Sequence, residues 1–342
     1  MRTCTWAPTV FQGTQVVRGR TFAETPTSDK LSQGVVDHVN HIESLGISHL
    51  LVAQRWWGNA EDIEGSSLDC LAMTAFIAAR TKTLTLVTAI HPGFLQPAQV
   101  AKWGATLDRI TGGRWAINLT SGWNLEEFDM YGVDALTHDE RYLRSAEFLS
   151  VLKGAWTQSE FSFSGTYYQV RKLRLEPRPE HPLVVYQGGQ SDASMKLAAQ
   201  HSDTMFLNGG PPEKIAGIIE RARKACEATG RKLGFALYAA PLCRPTDEEA
   251  WSEIDNRLAR VDPQLVAQRR TRVSGAEGMW QNDADPLSAL DTNEGYASRL
   301  IGSPETIVRQ IEQFRSLGVD MLHLDISDRL FVREVLPLVH SL

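Results

Sequence analysis

The sequence predicts an α/β protein, a single (β/α)8 TIM barrel that spans residues 1–342, with a hairpin on its rim and a long mobile loop near residues 262–297. Apolar, β-branched segments alternate with helical patterns about eight times along the chain, which favours a closed parallel barrel. The main alternative is a doubly wound sheet with a second domain. That fold requires a glycine-rich fingerprint after the first strand, and the stretch TWAPTVFQG has none.

Short apolar runs predict the strands, and several are apolar throughout, as expected for strands that are buried on both faces. They cover residues 3–7, 48–53, 84–89, 114–119, 183–186, 204–207, 233–240 and 319–326. Helical patterns follow at residues 29–45, 66–80, 96–110 and 140–156, then up to about 200, up to about 230, from about 246, at 304–317 and at 331–340. Asp29 and Ser303 are predicted N-caps, and Gly46 and Gly318 follow helix ends.

Two stretches depart from this alternation. FSFSGTYYQV, residues 161–170, alternates with a period of two around a glycine, which predicts a hairpin inserted on the rim. Residues 262–297 show no helical or strand periodicity and contain Gly275, Gly278 and Pro286. A structureless segment of that length is typical of a lid or a disordered loop.

Composition excludes several classes of protein. The formal net charge is 35 − 41 = −6, so the chain offers no basic surface for nucleic acid or for a membrane. No apolar run approaches a membrane span, and the N-terminus does not resemble a signal peptide. The four cysteines have no paired spacing, which indicates reduced thiols in a cytoplasmic protein, without a structural metal.

The stretch from Ala116 to Tyr142 contains the densest group of polar side chains next to a predicted strand end. In a parallel barrel the carboxyl ends of the strands carry the chemistry. Asn118 and Glu127 are 127 − 118 = 9 residues apart and can bind the edge of a polar ring; the alternative is a network that stabilises the loop. Tyr142, at a helix start, can reach a phosphate or a ring edge; the alternative is an ordinary surface helix start.

A second candidate site is the turn Gly188-Gly189-Gln190-Ser191 between a strand and a helix. Two glycines allow the backbone to approach a ligand closely, and the first amides of the helix with the Ser191 hydroxyl can hold an anion. The functional interpretation is a phosphate site that includes Gly189, Gln190 and Ser191. The structural alternative is a tight turn with a serine N-cap.

Further candidates stand at the predicted strand ends: Trp6, Gln54, Arg55, Trp56, Thr88, His91 and Trp123. His91 lies at the expected catalytic rim, although an isolated histidine more often has a structural role. The tryptophans favour a water-poor pocket around a flat ligand, or they close the top of the barrel. Serine-triad, Walker, HExxH and metal-ligand spacings are absent from the sequence.

Four long runs resemble the bacterial-luciferase-like flavin monooxygenases. They are TLVTAIHPGFLQPAQVAKWGATLDRITGGRWAINLTSGWNLEEFDMYG, HDERYLRSAEFLSVLKGAWT, VVYQGGQSDASMKLAAQHSDTMFLNG and RLIGSPETIVRQIEQFRSLGVDMLHL. The resemblance covers nearly the whole chain. It is greatest to the two-component dimethylsulfone and alkanesulfonate monooxygenase group, with the pyrimidine-ring-opening monooxygenases as cousins. It implies the same barrel fold.

The resemblance also implies roles for residues. Asn118, Glu127 and Tyr142 match flavin contacts, Gly189, Gln190 and Ser191 match the phosphate turn, and Gln54 and Thr88 lie where relatives line the isoalloxazine. His91 is the candidate acid, base or peroxide-orienting group. Arg55, Trp6, Trp56 and Trp123 are candidates for the substrate pocket.

The implied activity is an FMNH2-dependent monooxygenase that uses O2 and a flavin peroxide, at C4a or at N5, to oxygenate a small sulfone, sulfonate or related compound. FMNH2 would come from a separate NAD(P)H:FMN reductase, and the chain would form a homodimer or a homotetramer. The loop after the second strand lacks the cysteine of alkanesulfonate enzymes, and Asn293 stands where they have an arginine. A pyrimidine-type enzyme, a deazaflavin-dependent oxidoreductase and a non-catalytic flavin carrier remain alternatives.

Overall fold

A computed structural model of the chain describes residues 1–11, 16–17, 25–58, 65–278 and 285–342. Within those residues, eight parallel strands close into a barrel, and each strand pairs with its sequence neighbours, the last with the first. The predicted (β/α)8 fold is confirmed. The barrel strands are β1 Arg2–Trp6, β2 His49–Val52, β3 Thr85–Ile90, β4 Trp115–Leu119, β5 Val185–Gly188, β6 Thr204–Leu207, β7 Gly234–Ala239 and β8 Met321–Leu324.

Helices surround the barrel and follow the predicted order. In the described part of the chain they are α1 Ser28–Ser44, α2 Cys70–Ala78, α3 Pro97–Thr111, α4 Leu125–Met130, α5 His138–Thr157, α6 Asp192–His201, α7 Pro212–Glu227, α8 Asp247–Leu258, α9 Pro263–Arg272, α10 Pro304–Leu317 and α11 Leu336–Ser341. None of these helices has the length and apolar character needed to cross a bilayer. The rim hairpin is also present, as strands Phe161–Ser164 and Gln169–Leu173.

The core has two main layers. The larger layer fills the space between the outer face of the strands and the helices, with Leu50, Leu86 and Phe148 fully buried in it. A smaller group that includes Cys4, Val87 and Met321 fills the barrel interior. Alternate side chains of one strand therefore face different layers, which is the period-two geometry of β-structure.

All four cysteines are free and buried, at Cys4, Cys70, Cys226 and Cys243. Burial raises the pKa of each thiol, to about 11 for Cys243. Reduced thiols were predicted from the spacing of the cysteines, and the structure leaves them unpaired.

The prediction of a long mobile loop near residues 262–297 is wrong for residues 263–272, which form α9. The Asp262 side chain accepts a hydrogen bond from the Gln264 amide at 2.9 Å, and Pro263 occupies the first helical position. Leu265 and Val266 pack on a third apolar cluster, which includes Ile254 and Leu290. The helix carries few apolar residues, so its periodicity is weak in the sequence. Residues 279–284 lie outside the described chain.

Another helix was missed in the stretch that follows β4. Residues 120–139 were expected to be a loop, but Leu125–Met130 forms α4. The next helix begins at His138, two residues before the predicted Glu140. Thr137 and Glu140 make a reciprocal capping box, in which each side chain meets the backbone amide of the other residue.

Candidate active site

A cavity opens at the carboxyl ends of the barrel strands, where a parallel barrel places its active site. It contains about 160 Å³ of space. Eight of the predicted site residues line it: Trp6, Gln54, Arg55, His91, Asn118, Trp123, Tyr142 and Gly189. The fold therefore brings together residues from the ends of several strands that are far apart in the sequence.

A second, larger cleft of about 750 Å³ adjoins this cavity and shares His138, Tyr142 and Glu277 with it. Gln190 and Ser191 line the cleft rather than the cavity. The glycine-rich turn therefore stands between the two spaces, with Gly189 facing one and Ser191 the other.

Thr88 does not line either space. Its hydroxyl pairs with that of Thr74 on α2 at 2.9 Å and accepts a hydrogen bond from the Trp115 indole at 3.0 Å. The side chain is fully buried between the strands and the helices. The prediction that Thr88 contacts the ring of a flavin is contradicted by this orientation, because alternate residues of a strand point to opposite faces.

Asn118 carries an unpaired polar atom within the described chain. The residue is 9 % exposed, and its side-chain oxygen Oδ1 is buried without a hydrogen-bond partner among the described groups. A buried amide oxygen that lacks a donor costs free energy, so such an atom at a cavity wall is a candidate contact for a ligand.

Among the described residues, His91 is hydrogen-bonded through one ring nitrogen. The Trp56 indole Nε1 donates a hydrogen bond to His91 Nδ1 at 2.7 Å. Burial, and secondly the charge of Arg55, lowers the pKa of His91 to about 4, so the ring is neutral near pH 7. A neutral imidazole whose Nδ1 accepts a hydrogen bond can donate one at the cavity with its other nitrogen.

Glu127 was predicted to contact the ring edge of a flavin, but it does not line the cavity. Its carboxylate Oε1 accepts hydrogen bonds from the backbone amides of Trp56 at 3.0 Å and Trp57 at 3.3 Å. The side chain fixes the loop after β2, which is the loop-stabilising alternative that the sequence left open. Trp56 itself lies behind His91 rather than on the cavity wall.

Gln54 lines the cavity while its amide is engaged by the protein. Its oxygen accepts from the Cys70 amide at 2.8 Å, at the start of α2, and its nitrogen donates to the Arg55 carbonyl at 2.9 Å. The side chain therefore joins the end of β2 to α2.

The glycine-rich turn has a conformation that excludes other residues at position 189. Gly189 has φ +118°, and a Cβ there would lie 2.7 Å from Ser194 Oγ and 2.9 Å from the Tyr142 hydroxyl oxygen. Ser191 is the N-cap of α6 and accepts from the Ser194 amide at 3.2 Å. Burial raises the pKa of Tyr142, and hydrogen bonds with the Ser191 and Ser194 side chains oppose that shift.

Residues 275–278 pass over both spaces. Arg141 Nη2 donates to the Gly275 carbonyl at 2.7 Å. With its amide oriented to satisfy both partners, Gln190 donates to the Gly278 carbonyl at 3.1 Å and accepts from the Asn208 amide at 2.8 Å. This segment therefore connects α9 to the glycine-rich turn.

The opposite side of the cavity is an aromatic wall formed by Trp6, Phe206, Tyr238 and His323. The His323 ring lies 4.3 Å from that of Trp6, 5.4 Å from that of Phe206 and 5.1 Å from that of Tyr238, between centroids. Only Trp6 was predicted. His323 is 3 % exposed, burial lowers its pKa to about 3, and its Nε2 has no hydrogen-bond partner among the described residues.

His323 could have been found from one observation. It is a titratable residue inside the otherwise apolar strand MLHL, where an inward-facing position meets the cavity. Thr292 and Asn293 also line the cavity, next in sequence to the half-buried Asp291. Burial raises the pKa of Asp291 to about 6, against hydrogen bonds from backbone amides that include that of Asn293 at 2.9 Å.

The family model described as luciferase-like monooxygenase matches residues 13–321. A protein named FMNH(2)-dependent dimethylsulfone monooxygenase from Pseudomonas putida is 37% identical over 281 residues, 78% of this chain and 77% of that protein. Pyrimidine monooxygenase RutA from Klebsiella pneumoniae subsp. pneumoniae is 30% identical over 313 residues, 87% of this chain and 84% of that one.

Among solved structures, the long-chain alkane monooxygenase LadA superposes with a TM-score of 0.79 at 18% identity. The match covers 100% of this chain and 91% of that one, and at this identity it bears on the fold alone. The resemblance seen in the sequence is confirmed by the family match and by the identity to the two sequence relatives: the chain is a member of the luciferase-like monooxygenase family.

Proposed function

We propose that this protein is the oxygenase of a two-component system, which takes FMNH2 from a separate NAD(P)H:FMN reductase and uses O2 to oxygenate a small sulfone, with dimethylsulfone as the first candidate. The single observation that carries the cofactor assignment is the buried, unpartnered Asn118 Oδ1 on the wall of the cavity. The sulfone assignment is supported by the 37% identity to a protein of that name.

The residues present fit a flavin mononucleotide. Asn118 Oδ1 is a hydrogen-bond acceptor without a donor among the described groups, and the ring edge of a reduced flavin has N–H groups that can donate to it. Gly189 and Ser191 stand at the N-terminus of α6, where backbone amides and the helix dipole favour a phosphate. Because the cavity and the cleft share walls, a ring in the cavity and a phosphate at the cleft would belong to one molecule. Bound reduced flavin supplies the activation of O2 and the electrons.

The chain would contribute binding, orientation and exclusion of water. Trp6, Phe206 and Tyr238 give the cavity apolar faces that keep bulk water away from the reacting atoms. His91 is neutral near pH 7 and can hold a hydrogen bond at the cavity. A sulfone is small and neutral and has two acceptor oxygens, which suits a cavity with a neutral imidazole on each side.

A pyrimidine substrate is the second candidate, because a protein named pyrimidine monooxygenase is 30% identical over most of the chain. Arg55 at the cavity would favour an anion such as a sulfonate over either neutral substrate.

The homodimer or homotetramer implied by the resemblance remains a prediction, which light scattering would test.

The test combines binding and turnover. An anaerobic titration with photoreduced FMN should give tighter binding than oxidised FMN; equal affinities would contradict the cofactor assignment. In an aerobic assay with a flavin reductase and NADH, each dimethylsulfone should yield one methanesulfinate and one formaldehyde, with one O2 and one FMNH2 consumed and one FMN and one water released. Turnover of uracil or methanesulfonate in place of dimethylsulfone would overturn the substrate assignment while leaving the cofactor assignment intact.

A further inference from the structure

The contact between Trp56 and His91 determines where the histidine carries its proton. An indole Nε1–H can only donate a hydrogen bond. At 2.7 Å from it, His91 Nδ1 must act as the acceptor and must be unprotonated. In the neutral ring the single proton therefore sits on Nε2.

Trp56 is itself held at several points, so this contact is not a chance encounter of two side chains. Its backbone amide donates to Glu127 Oε1 at 3.0 Å, and its carbonyl accepts from the Tyr131 hydroxyl at 2.7 Å. Its indole stacks on Phe94, with ring centroids 4.5 Å apart and planes 8° apart. Glu127 lies on α4, and Tyr131 directly follows the end of that helix. The short helix α4 therefore holds the loop that carries the Trp56 indole.

The other nitrogen of the ring is available to a ligand. His91 lines the cavity, and in the described part of the chain its Nε2 has no hydrogen-bond partner. Arg55 is the charged group that acts on the ring, and it lines the same cavity. A positive charge nearby opposes imidazolium formation, as burial does. Both effects keep the ring neutral through the range in which most enzymes work.

We propose that Trp56 is a positioning residue which fixes His91 as an Nε2–H hydrogen-bond donor toward the cavity, so that His91 orients an acceptor oxygen of the bound substrate or of the reacting oxygen species and does not serve as a general base. The assignment of the proton stands on the contact alone. The role in turnover rests on the proposed function. A Nδ1–H tautomer would present a lone pair to the cavity and would repel the same oxygen.

The first test needs no flavin. Nitrogen-15 NMR of histidine-labelled protein at neutral pH, with the His91 signals identified by their loss in H91Q, should show protonated Nε2 and unprotonated Nδ1. In Trp56→Phe, which keeps a ring to stack on Phe94, the His91 signals should shift toward a mixture of tautomers or ring orientations. Trp103→Phe is the control, because Trp103 packs on Trp115 in the helix layer. A protonated Nδ1 in the unmodified protein overturns the proposal.

The second test separates a donor from a base. His91→Gln places an amide N–H near the position of Nε2, whereas His91→Leu places none. We expect H91Q to keep kcat/KM for the sulfone within about tenfold of the parent and H91L to lose about 100-fold, with the same FMNH2 affinity and Tm. If folded, flavin-binding H91Q is as inactive as H91L, His91 is a base and the proposal fails.

The third test uses pH to detect an effect of Trp56 through His91. Donation to Nδ1 stabilises the neutral ring, so its removal raises the pKa of His91. In Trp56→Phe the titration midpoint of the His91 nitrogen-15 signals should move up by about one pH unit, whereas Trp103→Phe should leave it in place. An unchanged His91 midpoint in Trp56→Phe would assign Trp56 a packing role only and would overturn its positioning role.

Discussion

The two sides of the cavity differ in chemistry and in how each is built. A polar wall of Asn118, Tyr142 and Gly189 comes from one strand, β4, from α5 and from the turn after β5. The aromatic wall faces it and comes from the carboxyl-terminal residues of the four strands β1, β6, β7 and β8. The difference indicates a division of work, in which the polar wall grips a cofactor and the aromatic wall shapes the space for a substrate. Substitutions on one side should therefore leave the other function intact.

The largest effect is expected at the glycine-rich turn. Gly189→Val would place a branched side chain at φ +118° and within 2.9 Å of Tyr142 and Ser194 atoms, so the turn must shift. We expect FMNH2 affinity to fall by about 100-fold, equivalent to roughly 2.7 kcal/mol, in an anaerobic titration.

Gly217→Ala is the matched control, since nothing lies within 4 Å of a Cβ added at that position of α7. It should bind FMNH2 as the parent does. Normal binding by a folded Gly189→Val protein would remove the turn from the cofactor site.

The next effect concerns the unpartnered amide on the polar wall. Asn118→Leu removes Oδ1 and should weaken FMNH2 binding by about tenfold, or roughly 1.4 kcal/mol. Without flavin the same change should not lower Tm, because the oxygen it removes has no hydrogen-bond partner in the described protein. A lower Tm with unchanged flavin affinity would assign Asn118 to the structure instead.

A smaller effect is expected on the aromatic wall. His323→Leu should raise the KM for the sulfone by about fivefold, roughly 1 kcal/mol, because a polar contact in the cavity is lost. FMNH2 affinity should stay the same in the anaerobic titration. If the flavin affinity fell as much as the KM rose, the division between the two walls would be wrong.

The smallest effect is expected on the pH dependence of the unfolding free energy. His323 is buried and its pKa is lowered to about 3, so its unfolded form takes up a proton more readily than its folded form. The stability it contributes is present above pH 6.5 and is lost as the pH falls toward 3. From pH 7 to pH 6 this residue should cost about 0.7 kcal/mol of unfolding free energy. In urea titrations, the unfolding free energy of His323→Leu should therefore fall by about 0.7 kcal/mol less than that of the parent between pH 7 and pH 6. An equal fall in both proteins would contradict the lowered pKa of the buried His323.

The polar wall could be read from the sequence because its residues break the apolar pattern where a strand ends. Asn118, Tyr142 and Gly189 stand at such boundaries, and the barrel rule places the carboxyl ends together. The aromatic wall could not be read in the same way. Phe206 and Tyr238 lie inside apolar strands, where they look like core residues, and only the closed barrel shows that they face a cavity.

Thr88 and Glu127 were predicted as site residues, but neither lines the cavity. Both are polar residues in the expected region, yet one faces the helix layer and the other holds the backbone of the loop after β2. Which face of a strand a residue occupies depends on the register, and a shift by one residue exchanges the two faces. The helix α9 was missed for a different reason, since its packing surface is small and its sequence is mostly polar.

The burial of the four thiols has a consequence for the lifetime of such an enzyme. A thiolate is the form of cysteine that a peroxide attacks. Cys4, Cys70, Cys226 and Cys243 are all buried, and each has a raised pKa. The folded chain therefore offers little thiolate to a peroxide, and sulfenic acid formation at these positions should require unfolding.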